Sequence, residues 1–136
     1  MASQPVHSVS SCAEISSYIR GYHAYQDVWQ PALGEILLLQ REPTNAKDSL
    51  AVSVMKSNNT IVGHVPANLS ALFSHFLMRT CNKGIVEVTG ARINRGAGYG
   101  LEVPCIYRLY GPAAYIERLK TIIRDSDHPS GIATRP

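Results

Sequence analysis

The stretch Leu37–Val54 constrains the fold of this chain more than any other. It reads as an apolar strand, a polar turn and a second strand. Glu42 precedes Pro43, whose ring disfavours helical geometry in the residue before it, so Glu42 is expected to be extended. Asn45 and Asp48 suit the turn because their short polar side chains bond nearby backbone groups. Beyond the turn, Leu50, Val52 and Val54 alternate with Ala51 and Ser53, the period-two pattern of a half-buried strand. Arg41, Glu42, Asn45, Lys47 and Asp48 are thus concentrated between two apolar segments.

The rest of the chain follows the same β-rich pattern. Residues 1–16 are expected to form a mobile arm, with room for one helical turn at Cys12–Ser17. The aromatic content of Tyr18–Tyr25 predicts a first strand. Glu35–Arg41 is the second. Its run Ile36-Leu37-Leu38-Leu39 does not alternate, which predicts cover on both faces. Leu50–Lys56 and Thr60–Val65 are the third and fourth, joined by a turn in which Asn58-Asn59 tolerates positive φ. A helix starts at Pro66 or Asn68 and ends near Thr80. Leu69, Leu72, Phe73, Phe76 and Leu77 form its buried stripe, with Ser74 and His75 on the other side. Ile85–Asn94 is the fifth strand. After a glycine-rich turn at Arg95–Gly100 comes the sixth, Leu101–Tyr110, where Pro104 predicts an edge or a bulge. Pro112 opens a last helix with a stripe of Tyr115, Ile116, Leu119, Ile122 and Ile123. Residues 17–125 are read as one domain and 126–136 as a flexible tail. Strands and helices do not alternate as βαβ units would. The expected class is β-rich α+β: a six-stranded antiparallel barrel, one helix between strands four and five, and one C-terminal helix.

Composition narrows the function. At 136 residues the chain holds one domain with a substantial core. The formal net charge of +3 permits a nucleic-acid partner without demanding one. Lys83, Arg92, Arg95 and Arg108 could form a basic strip along a phosphate backbone, or ordinary solvated surface. The three cysteines, Cys12, Cys81 and Cys105, are far apart and lack a Cys-x-x-Cys or His partner at ligand spacing. They read as free thiols in a reducing compartment, with no metal and no small-molecule cofactor. Without a signal sequence or a long apolar run, the chain is expected to be soluble and intracellular, with no membrane partner. The pattern of Gly96–Gly100 lacks a following helix and reads as a hairpin turn rather than a phosphate loop. No nucleophile elbow is present, and the chain is not expected to be an enzyme.

One motif pair is more specific. Arg41-Glu42-Pro43-x-Asn45-x-x-Asp48-x-x-Ala51-Val52, followed by Ile61-Val62-Gly63-His64-Val65-Pro66, resembles a HIRAN domain over residues 18–111. The resemblance implies an OB-like barrel with added helices and a pocket for the 3′ end of single-stranded DNA. It places Asn45, Asp48 and His64 in that pocket, with Tyr22 or Tyr25 stacking on a base. Lys47 and Leu101 stand where the family has aromatic residues, and Ala67 where it has a lysine. An Asp only accepts hydrogen bonds, whereas a neutral His can donate or accept, so Asp48 suits a terminal hydroxyl. Lys47 and Arg95 complete the candidate set as phosphate contacts. The expected function is weak binding of single-stranded DNA in a nuclear DNA-repair or chromatin setting. The alternative is a protein-interaction module that keeps the barrel and has lost the pocket; no protein partner is indicated.

Overall fold

A computed structural model describes residues 11–96 and 100–127. The strands are β1 (Ser11–Ile19), β2 (Ile36–Arg41), β3 (Val52–Met55), β4 (Ile61–His64), β5 (Lys83–Val88), β6 (Ile93–Asn94) and β7 (Leu101–Gly111). The helices are α1 (Tyr22–Tyr25), α2 (Ala67–Leu77) and α3 (Ala113–Asp127). Every strand pair is antiparallel, in the spatial order β1-β7-β5-β2-β3-β4, with β6 also on β7. The sheet curls into a half-barrel. Among the described residues its two end strands meet at one point, where Arg20 and His64 form a bridge through two backbone hydrogen bonds of 2.9 Å. Gly63 lies beside this seam.

The inward positions of the strands, among them Ile19, Leu37, Val54, Val86, Val103, Tyr107 and Leu109, form the core. α2 lies against it, and Phe73 meets Tyr107 edge-on at 5.2 Å between ring centroids. The Tyr107 hydroxyl donates to the Tyr18 carbonyl at 2.6 Å, tying the end of β1 to β7. Pro66 caps α2, its carbonyl accepting from Leu69 and Ser70. α3 adds the fully buried Ile116 and the nearly buried Leu119. Asn59 takes a positive φ of 70° in the β3–β4 turn, as its sequence allows.

The β-rich class with helices between β4 and β5 and at the C-terminal end stands, but several elements differ from expectation. Residues 1–10 of the expected arm lie outside the described residues, while Ser11–Ser16 belong to β1 because they pair along β7. The expected strand Tyr18–Tyr25 ends at Ile19. Gly21, at φ 81°, reverses the chain, and Tyr22–Tyr25 becomes a helical turn. In β2, Leu37 is buried, but Ile36 and Leu38 are 52% and 38% exposed, so the apolar run is not covered on both faces. The expected fifth strand breaks after Val88 into β5 and β6.

Pro104 occupies the middle of a central strand rather than a sheet edge. It faces Tyr18 of β1 on one side. On the other, β5 stops opposite Cys105 and β6 starts opposite Glu102. The Pro104 carbonyl accepts from Thr89 at 3.0 Å, so the missing N–H points into the gap between two partner strands. In α2, Ser74 is fully buried and accepts from Arg41 Nε at 3.2 Å. Ser126 and Asp127 of the expected tail are still in α3, and residues 128–136 lie outside the described residues.

Candidate nucleic-acid interface

The β2–β3 turn is stiffened by its own side chains. Asn45 Oδ1 accepts from the backbone N–H groups of Lys47, at 2.8 Å, and Asp48, at 3.1 Å. Asp48 Oδ1 accepts from the Leu50 N–H at 2.9 Å. Each is the local side-chain cap that Asn and Asp provide in turns. A carboxylate has about four acceptor positions, so the cap leaves Asp48 with acceptor capacity. Lys47 and Asp48 are both exposed.

Glu42 joins this turn to the seam. Its carboxylate accepts from Asn45 Nδ2 at 3.0 Å. Its two oxygens lie 3.2 and 3.3 Å from His64 Nε2. The barrel brings these parts together: His64 faces Ser53 on β3 and Arg20 across the seam. The Tyr25 ring, carried by α1, lies 6.3 Å from the His64 ring between centroids. Tyr25, His64, Glu42 and Asn45 therefore form one connected group. Tyr25 and His64 are half-buried, which leaves part of each ring open to solvent.

A second carboxylate stands beside the seam. Glu102 is fully buried and accepts from Arg20 Nε at 2.9 Å and Arg95 Nε at 2.8 Å. Burial alone would raise its pKa. The hydrogen bonds from Arg95 and Arg20 outweigh that and hold the carboxyl below the usual carboxylate range. The Arg95 guanidinium also lies 3.8 Å from the Tyr18 ring centroid. Arg95, exposed at the surface, is thus held in an ion pair and a stacked contact.

Two sequence expectations need correction. Tyr22 is 2% exposed, with Trp29 edge-on at 6.0 Å and the Arg92 guanidinium 5.6 Å away, so it is a core residue and its ring is closed to a base. The basic strip is also divided. Arg92 and Arg95 flank β6, which pairs with the start of β7, while Lys83 faces Tyr110 and Arg108 faces Ile85 near the end of β7. At about 3.3 Å per residue, Arg108 is roughly 20 Å from Glu102 along the strand. Arg108 is held by Glu14 at 2.7 Å and Glu87 at 2.6 Å, which push its pKa further up. Glu42, Arg20 and Glu102 were missed by sequence reasoning. Glu42 sits inside the quoted motif, so its signal was present; Arg20 and Glu102 depend on strand register and carried none.

Among the described residues no group of three His, Cys, Asp or Glu is placed to hold a metal ion. The cysteines are free, and burial pushes the Cys105 thiol up to about 12. Among the described residues no helix is long and apolar enough to cross a membrane.

A curled antiparallel half-barrel, with a helix after its fourth strand and a polar turn beside its seam, is an OB-like fold. The chain belongs to the HIRAN domain family, whose model matches residues 14–100. Its structure is similar to the crystal structure of the HIRAN domain of human HLTF: TM-score 0.68 and 19% identity over 85% of this chain and 91% of that one. It is also similar to the NMR structure of the HLTF HIRAN domain in its DNA-bound conformation: TM-score 0.63 and 17% identity over 88% and 93% of the two chains. A crystal structure of a protein from Lactobacillus plantarum gives a TM-score of 0.50 at 20% identity, over 74% and 98%. At these identities the likeness is one of fold. No curated protein matches the sequence.

Proposed function

We propose that this HIRAN domain is a nucleic-acid-binding module, not an enzyme, that takes single-stranded DNA at the seam with a preference for a free 3′ end. The observation that carries the reading is the connected group of Tyr25, Glu42, His64 and Asn45 beside the seam. Membership of a family with a member solved in a DNA-bound conformation supports it. In this reading Tyr25 stacks on the terminal base, and His64 and Asn45, oriented by Glu42, hold the sugar or phosphate. Asp48 accepts from the 3′-hydroxyl, and Lys47 contacts a phosphate. Arg20 and Arg95, tied to Glu102, supply a fixed positive field rather than mobile contacts. The setting is nuclear DNA repair or chromatin.

Stacking is worth about 1–3 kcal/mol per base. With Tyr22 in the core and Lys47 in place of an aromatic, one stacker remains, and affinity falls in the range of tens of micromolar, about 6 kcal/mol. The test is titration of labelled oligonucleotides carrying a 3′-hydroxyl or a 3′-phosphate. The hydroxyl form binds better, and both weaken with salt as counterions are released. Asp48→Ala erases the preference, while Lys47→Ala weakens both forms equally; circular dichroism checks that each variant is folded. Equal binding of the two ends by the wild type overturns end recognition. Absence of binding at low salt overturns the nucleic-acid reading and leaves a protein-interaction module.

A further inference from the structure

We propose that the groove between α2 and α3 docks an acidic segment of a partner protein through one bulky apolar side chain. The apolar stripe of α3 is wider than the barrel covers. Ile116 and Leu119 reach the core, but Ile122 stays 41% exposed. From the other side α2 contributes Leu72 and Phe76. Between the helices Leu72, Phe76, Tyr115, Leu119 and Ile122 floor an open groove of about 180 Å³. That is roughly the liquid volume of six waters. It falls below the several hundred Å³ of a small-molecule pocket and suits a single large side chain.

The rim selects the chemistry of the occupant. His75, Arg79 and Arg118 line the groove, and among the described residues no carboxylate does. The Arg79 guanidinium lies 4.6 Å from the Tyr115 ring centroid, a stacked position that holds it at the groove. Stacking uses the guanidinium face and leaves its N–H fork for a carboxylate. Among the described residues neither Arg79 nor Arg118 has a carboxylate partner. An apolar floor inside a cationic rim is the arrangement of an interface hot spot for an acidic partner with an apolar anchor. The groove shares no residue with the seam group. α3 lies beyond residues 14–100, the part matched by the family model, whereas α2 lies within it.

The test is selection of a random peptide display library against the full chain, followed by NMR titration of an enriched peptide into the labelled protein. Enriched peptides carry Asp or Glu around one Trp, Phe or Leu, and their shifts centre on Leu72, Phe76, Tyr115 and Ile122. Ile122→Ala weakens binding about tenfold, as expected for a lost apolar contact. Arg118→Glu weakens it about fivefold or more by reversing a rim charge. Both residues point to solvent, and a melting curve confirms that each variant folds. The proposal is overturned if no peptide is enriched, if enrichment ignores charge, or if an enriched peptide shifts residues elsewhere. It is also overturned if these resonances respond to oligonucleotide or to protein concentration alone, which would make the groove a nucleic-acid surface or a contact between copies.

Discussion

A Cβ placed on Gly63 would lie 2.5 Å from Ile19 Cγ2 and 2.7 Å from the Arg20 carbonyl oxygen. The first neighbour is a side chain and can shift. The second is backbone, fixed by the hydrogen bond it accepts from His64. Gly63→Ala must therefore loosen the only bridge that joins β1 to β4 among the described residues. Overpacking of this kind costs about 1–3 kcal/mol, which lowers the melting temperature by about 3–10 °C in a domain of this size. A wild-type melting curve for Gly63→Ala would show that the seam is not tight. Glu102 gives a second residue-scale test. Its pKa is depressed, so its stabilising effect is present above the ordinary value of 4.5 and is lost as pH falls below it. Glu102→Gln removes the charge-assisted bonds to Arg20 and Arg95, a loss of about 1.5–3 kcal/mol at neutral pH. The melting-temperature gap between wild type and variant should close on acidification, because the wild-type carboxyl then becomes neutral too. A gap that stays constant down to acid pH contradicts the ion-paired assignment. Little of this was legible beforehand. The motif marked His64, Asn45 and Asp48, but an Arg–Glu contact across 82 positions follows from register alone.

At the scale of elements, α2 shows what periodicity reads well and what it misses. Leu69, Phe73 and Phe76 recur at helical spacing, and Phe73 and Phe76 are in the core. Ser74 lies off that stripe, and its hydroxyl predicts a wet face, yet it is fully buried and accepts a hydrogen bond from Arg41 of β2. The partner comes from another element, and no pattern within the helix encodes it. Phe73→Ala should cost about 3–5 kcal/mol, since the lost ring leaves a cavity against Tyr107. Ser74→Ala should cost about 1–2 kcal/mol, because it removes the acceptor of Arg41 Nε. Urea unfolding measures both; an unchanged midpoint for Ser74→Ala would deny the bond a structural role. Strand β2 misled in the opposite way. Ile36 and Leu38 are apolar on an exposed face, so alternation was hidden by composition. Pro104 was legible only in part. The sequence shows that an N–H is missing, but whether that falls at a sheet edge or between two partner strands depends on where β5 ends.

At the scale of the molecule, the order β1-β7-β5-β2-β3-β4 sets the two proposed surfaces on different supports. The seam group rests on the β2–β3 turn, β4 and α1, while the peptide groove rests on α2 and α3. The class of fold was legible because a strand-rich chain with few helices has few ways to cover its edges. The seam was not, because the Arg20–His64 bridge joins residues just past β1 and at the end of β4, and only closure of the sheet brings them together. Separate supports predict separate behaviour. Tyr25→Ala should weaken oligonucleotide binding about fivefold to a hundredfold, the span of one lost base stack, and leave the enriched acidic peptide unaffected. Arg118→Glu should do the reverse. An acidic peptide bound to the same molecule should neither compete with the oligonucleotide nor alter its apparent affinity by more than about twofold, since a coupling free energy requires a conformational equilibrium that both ligands bias. Titrating oligonucleotide into protein with and without saturating peptide checks this. Mutual exclusion would show instead that both ligands use one surface, and the oligonucleotide response of Arg118→Glu would identify which.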